Sequence, residues 1–395
     1  MKFIPAFLLL VVFSGNAFAQ SSNYIKGRVV NGETDSAISN ASVFITNTSK
    51  GTVSNSTGQF ELVNIPEGTY DLVVSCIGFE TQVYTYKGSQ LPLKMVFEMK
   101  PKVEELQAVI VEPYEKDGWE KWGKFFIENF IGSSANAKSC TIENYTALHF
   151  RDSKKRSQLT VTADEPLIIE NKALGYRIQY QLEGFTYNFK ENSLLYFGYT
   201  LFNELNKNGP KDRNLKNREK AYYGSIQHFM SCLYNNTLAE EGFEVKRLTK
   251  APNLEKQRVR KVYRENMGGG NIPKDSSAYY NRILKQPDMI ETYGKYLLTA
   301  DSLVTGHDAL TKKLFFTDYL YIVYKKEKED PEYLQYVHES RPSYFQRSVV
   351  FLLNNNPLFV DALGNYYMPQ DLMNYGYWSW SEKIASILPL DYKDK

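Results

Sequence analysis

The segment Tyr70-Asp71-Leu72-Val73-Val74-Ser75 puts Tyr70, Leu72 and Val74 on one face and Asp71 and Ser75 on the other, which is the period of a strand with one buried side. The pattern recurs. Phe60 and Leu62 alternate just before it, Val43-Phe44-Ile45 forms another apolar centre, and the clusters Asn55-Ser56-Thr57-Gly58 and Ile65-Pro66-Glu67-Gly68 interrupt the runs. Proline at the second turn position presets φ and glycine suits the fourth, so the latter tetrapeptide is expected to join two antiparallel neighbours. Short strands at close, regular spacing from Tyr24 to about Met99 predict a sandwich.

Composition carries the β reading further along the chain. Of 395 residues, 30 are Tyr and 23 Phe, against only 4 His. Aromatic rings fit a pleated, half-buried surface, and general bases are scarce. Lys and Arg number 47 against 45 Asp and Glu, a formal charge of +2. That balance is far from the phosphate-neutralising surface duplex nucleic acid requires, so no nucleic-acid partner is expected. At about 100–200 residues per domain the length predicts two domains, or three.

The amino terminus reads as an export signal. Lys2 supplies positive charge, Phe3 to Phe13 an apolar stretch, and Ala17-Phe18-Ala19 a small-x-small cleavage signature, so a signal peptide over residues 1–19 is expected, cut between Ala19 and Gln20. The apolar stretch is much shorter than the roughly 20 residues that span a bilayer, and no later segment reads as a membrane helix. No cysteine sits at the cleavage point, so a lipoprotein anchor is not expected. Cys76, Cys140 and Cys232 are three and widely spaced, which predicts buried thiols acting as small apolar groups and no disulfide framework.

Ile25-Lys26-Gly27-Arg28-Val29, Ala41-Ser42-Val43-Phe44-Ile45, Gly58-Gln59-Phe60-Glu61-Leu62, Ile65-Pro66-Glu67-Gly68-Thr69-Tyr70 and Ile77-Gly78-Phe79 resemble, in order and spacing, the carboxypeptidase regulatory-like domain. The resemblance covers about residues 24 to 100 and implies a seven-stranded, transthyretin-like or Ig-like β-sandwich. It implies no peptidase activity, because in that enzyme family the zinc and the catalytic groups belong to another domain. Many members place Thr-Asp before the central turn, where this chain has Ser54-Asn55. The following Glu104 to Pro113 run is similar to the segment that links such a module to the plug of TonB-dependent receptors in Bacteroidetes. Here it reads as a strand and linker edged by Pro101 and Pro113. The boundaries expected are therefore a sandwich over 20–100, a linker over 101–116 and an α+β domain with an antiparallel sheet and several helices over 117–395.

In that last region Asp117 with Glu120 makes a capping-box pattern for an amphipathic helix bearing Trp119, Trp122, Phe126 and Phe130. Alternation predicts strands at Leu159 to Ala163 and Tyr176 to Leu182, with a hairpin or meander where Glu183-Gly184 precedes Phe185-Thr186-Tyr187. A second helix is expected from about Glu219 to Leu238, with His228 and Cys232 away from its apolar stripe. Further strands are expected at Leu314 to Tyr324 and Ser348 to Leu353, and Ser379 with Glu382 is expected to cap a last helix. Glu165 to Asn171, Leu174-Gly175-Tyr176, Tyr222 to Ser225 and Gly376-Tyr377-Trp378 resemble exported Bacteroidetes proteins that pair the regulatory-like module with an uncharacterised region.

Motifs that carry chemistry are scarce. No H-E-x-x-H or related zinc pattern, no G-x-S-x-G elbow and no P-loop occurs, and Gly268-Gly269-Gly270 reads as a loop. No catalytic residue, cofactor or metal is expected. Glycosidase carboxylates need only meet in space, and 45 acids give no basis for choosing a pair. The basic stretches Lys207 to Lys220 and Lys246 to Arg264 read as solvated faces or as contacts for anionic glycolipid or polysaccharide. The cluster Tyr375, Tyr377, Trp378 and Trp380 reads as packing for the last helix or as a platform for sugar rings. The resulting expectation is a non-enzymatic exported protein of the periplasm, outer membrane or cell surface, binding an envelope protein or glycan. The alternatives are a hydrolase of envelope or extracellular glycan or peptide polymers, and an accessory of a TonB-dependent transporter.

Overall fold

A computed structural model describes residues 23–65, 68–102, 113–266 and 274–393. The expected signal peptide with Ala19 and Gln20, most of the linker, Pro66, Glu67 and the Gly268 to Gly270 loop lie outside the described residues.

The N-terminal module has strands β1 (Tyr24–Asn31), β2 (Ser42–Ile45), β3 (Gly51–Val53), β4 (Gln59–Val63), β5 (Thr69–Ser75), β6 (Gln82–Lys87) and β7 (Leu93–Met99). They form two sheets, β4-β1-β7 and β3-β2-β5-β6, so this is the expected seven-stranded sandwich. Its core is built by the alternating residues: Tyr70, Leu72 and Val74 face inward with Val43, Ile45, Phe60 and Phe97. β4 and β5 belong to opposite sheets, so the segment around Ile65 and Gly68 crosses between sheets instead of joining paired neighbours. Asn55 replaces the aspartate of the central turn without loss. Its Oδ1 accepts from the amides of Thr57 and Gln59 and from the Thr57 hydroxyl at 2.8–3.0 Å.

The remainder, expected as one α+β domain over 117–395, holds two separate hydrophobic cores. In the first, α1 (Gly118–Phe130) lies on an antiparallel sheet of β8 (Cys140–Ile142), β9 (Leu148–Ser153), β10 (Gln158–Ala163), β11 (Leu167–Asn171), β12 (Tyr176–Asn188) and β13 (Ser193–Glu204). Asp117 precedes α1 with no side-chain cap bond, its ψ of 44° lying away from the extended region a cap needs. Glu183-Gly184 is a bulge within the long β12, and the reversal comes later, between Asn188 and Ser193.

The other core follows α2 (Asp212–Tyr222). The elements of this part of the chain are α3 (Ile226–Asn235), β14 (Phe243–Pro252), the helical pair α4 (Leu254–Asn266) and α5 (Lys274–Leu284), β15 (Met289–Tyr293), β16 (Val304–Gly306), β17 (Thr311–Leu314), β18 (Tyr319–Lys328), α6 (Pro331–Tyr336), β19 (Phe345–Leu352), β20 (Leu358–Asp361), β21 (Tyr366–Tyr367), β22 (Leu372–Gly376) and α7 (Tyr377–Ser381). Its sheets run β15-β14-β18-β19-β22 and β16-β17-β20-β21. The single helix expected from Glu219 to Leu238 is two. Gly224 takes φ +79°, and Ser225 accepts the His228 amide to start α3 afresh. His228 and Cys232 then point into the core, not away from it. Leu314 and Tyr319 end and begin strands of different sheets, so that expected strand is also divided. Ser379 lies inside α7 and donates to Gly376, while Glu382 stands at its C-terminal end, so neither caps the N-terminus of α7. Among the described residues no helix is long and apolar enough to cross a membrane.

Candidate functional site: the three-core junction

From α7 onward the chain visits each core in turn. Trp378 and Trp380 sit in the third, Ile384, Ala385 and Leu388 in the second, and Leu390 in the sandwich. Backbone bonds hold the path: Ile384 and Ala385 donate to the carbonyls of Phe130 and Ile131, and Leu390 to Asn47 at 2.7 Å. Ser49 then donates through its amide and hydroxyl to the Asp391 carboxylate. Beside this path the sandwich meets the edge of β13. Thr48 and Leu201 form a parallel bridge, and Leu201 packs on Phe44 and Val73, which the strand period turns outward from the sandwich core.

A cleft of about 550 Å³ opens where these parts converge, lined by Ser49, Tyr176, Glu204, Arg218 and Asp391 among others. Arg218 forms its floor. Its guanidinium donates to both oxygens of Glu204 at 2.8 Å and to the Leu174 carbonyl at 2.7 Å, and lies 3.8 Å from the centre of the Tyr176 ring. A planar, five-donor fork satisfies all three partners at once, which an ammonium would not. Burial pushes the Tyr176 phenol above its ordinary range, so it stays a neutral donor. This arrangement gives a rigid floor with Asp212, Lys216 and Glu219 along the lining, suited to holding a polar surface.

Two smaller cavities, of about 140 and 180 Å³, share Ala221, Ser225, Glu382 and Ser386. In the first, Asp330 accepts from Lys220 at 2.6 Å and Tyr377 at 3.1 Å, and Glu327 accepts from Gln346. Burial pushes the Glu327 carboxyl upward. Glu382, which accepts from the Ile226 amide at 3.4 Å, is pushed up to about 7 by burial, and neighbouring Lys383 is pushed down to about 8. Carboxyls thus converge near aromatic walls, in spaces well below the roughly 300–1,000 Å³ of ligand pockets and sized for a few waters.

The residues singled out in the sequence are dispersed. Tyr377, Trp378 and Trp380 are buried, each with its polar atom satisfied, by Asp330, the Gly224 carbonyl and Ser133 respectively. Aromatic rings enter a core whole when the N–H or O–H finds such a partner. Tyr375 stands apart on β22 with the Lys250 ammonium 4.4 Å from its ring centre, so the four form no common platform. His149 contacts Asp164 and His307 lies against Phe359. His228 is ringed by aromatics, and burial lowers it to about 4. The three thiols are free, and burial raises each, Cys140 to about 12 and Cys232 to about 11. Arg218 and Glu382 escaped sequence reading, one inside a basic stretch and the other taken for a cap partner.

These features define a class: a β-sandwich module docked on a two-core α+β region. Residues 25–111 match the family model of the CarboxypepD_reg-like domain, and the N-terminal module is a domain of that family. Among solved structures, 19% of this chain aligns with 51% of a chain from a type II cohesin–X-dockerin complex of Acetivibrio cellulolyticus, at 17% identity and a TM-score of 0.16. A protein of unknown function from Bacteroides fragilis NCTC 9343, described as membrane-associated, aligns over 95% of its length with 90% of this chain, at 10% identity and a TM-score of 0.17. Neither likeness bears on fold or function at such scores. No curated protein matches the chain.

Proposed function

We propose that this is an exported, non-enzymatic cell-envelope protein in which the CarboxypepD_reg-like sandwich is a docked structural module, and the two-core region binds an envelope protein or glycan. The observation that carries the reading is the path of residues 378–391 through all three cores, which makes the sandwich part of one rigid frame and not a tethered appendage. Support for export is the charged, apolar and small-residue order of residues 1–19. Affinity capture from a solubilised envelope fraction, followed by mass analysis of what is retained, tests it. Retention of an intact protein or glycan is expected. Retention of nothing overturns the reading, and recovery of a cleaved polymer replaces it with a hydrolase.

A further inference from the structure

β15 is the outer strand of its sheet, and all five of its residues, Met289 to Tyr293, are exposed. The exposed apolar run continues past it, from 41% for Met289 to 74% for Tyr296, with Ile290 and Tyr293 between and Leu297 after. Native sheets usually shield such an edge with charge, proline, a bulge or a covering loop. The Gly294 amide donates to Arg247, and β15 pairs antiparallel with β14 so that Tyr293 faces Leu248 and Met289 faces Pro252. Antiparallel alternation therefore turns the N–H and C=O groups of Met289, Glu291 and Tyr293 away from the sheet. Proline opposite Met289 agrees, since it has no amide to offer there.

The stretch of sequence that carries this edge is basic. Residues 246–298 hold 12 Lys and Arg against 5 Asp and Glu, a net +7 in a chain whose formal charge is +2. α4 follows the end of β14 that adjoins this edge; its Arg258 and Arg260 pair with Glu255 and Asp288, while Lys285 and Lys295, on either side of β15, are exposed.

We infer that the free edge of β15 receives an extended acidic segment of a partner protein as an added strand, its backbone paired to Met289, Glu291 and Tyr293 and its carboxylates drawn by Lys285 and Lys295. Strand addition supplies affinity through main-chain hydrogen bonds, and flanking charge sets the choice of partner. An anionic polysaccharide satisfies the charge but leaves the row of backbone groups unpaired. A second copy of β15 laid antiparallel about its centre sets Glu291 opposite Glu291, which is repulsive.

The inference rests on the partner-binding reading and names its site. Fluorescence anisotropy on the full chain tests it, with a short labelled peptide alternating Asp with Val and Tyr as the probe. Its Lys-for-Asp counterpart and an alternately N-methylated form serve as controls. Both are expected to bind about tenfold or more weaker. Met289→Pro removes one outward amide, leaves the ion pair of Glu291 with Lys250 in place, and sits at the first residue of an edge strand, where proline is tolerated. It is expected to weaken the acidic peptide by about tenfold or more while leaving the melting curve in place. Equal binding by the N-methylated peptide, which needs no variant, overturns strand addition. So does saturation by polygalacturonate where the acidic peptide fails to bind. If envelope capture persists undiminished with Met289→Pro, this site is wrong and the partner-binding reading stands; if the native chain captures nothing, that reading has failed independently.

Discussion

The amide of Leu390 donates to the carbonyl of Asn47 across 2.7 Å, joining residues 343 positions apart and fixing the end of the chain to the loop that follows β2. Leu390 also enters the sandwich core, six residues after Ile384 has packed in the neighbouring one.

Truncating either anchor should loosen the frame. Leu390→Ala and Ile384→Ala each leave a buried void and are expected to cost about 2–4 kcal/mol. Urea unfolding should show one shared transition moving down in both variants. Two separated transitions in the native chain would mean the cores are not coupled.

The contact between the sandwich and β13 is small, so it should be sensitive to shape. A Cβ at Gly51 would stand within 2.8 Å of both Leu201 methyls, and Leu201 closes against Phe44 and Val73. Leu201→Ala is expected to cost about 2–3 kcal/mol. Gly51→Val should displace the same side chain and lower the melting temperature in the same direction, as calorimetry would register.

Arg218 and Glu204 should behave as a coupled pair. The arginine is buried and the glutamate partly exposed, so each single alanine variant is expected to cost about 2 kcal/mol. The double variant should cost less than the sum, with a coupling of about 1 kcal/mol or more in a double-mutant cycle. Strict additivity would remove the pair from the account of the cleft.

Glu382 gives a pH signature. Burial raises its carboxyl from 4.5 to about 7, so folding retains a proton that the unfolded chain releases. The stability this contributes is fully present below pH 4.5 and is lost as pH rises through 7, on the order of 3 kcal/mol in all. Glu382→Gln lacks that loss. Its stability relative to the native chain should therefore improve between pH 4.5 and 7 and stay level above. A difference that does not change with pH would contradict the assignment.

The sandwich was readable because its strands bury one face each, so a period of two appears directly in Tyr70, Leu72 and Val74. The break at Gly224 was hidden because Tyr222, Ile226, Phe229 and Leu233 continue a helical stripe across it. Only the positive φ of Gly224 and the Ser225 cap divide them. Two cores escaped notice because strands of both share the same alternation, and no change of composition marks where one ends. The cleft was illegible for another reason. Arg218 meets Glu204 and Tyr176 through tertiary pairing, and local sequence carries no trace of partners brought together by β12, β13 and α2.

The account depends most on the sandwich being docked through the terminal path. Amide hydrogen exchange on the intact chain reads this directly, at the bonds that Leu390 gives to Asn47, Asn47 to Thr200 and Phe202 to Thr48. The account predicts that all three amides are protected as strongly as those of β12, exchanging only when the frame opens. Exchange at these three amides as fast as in an open loop, with β12 still protected, would contradict it.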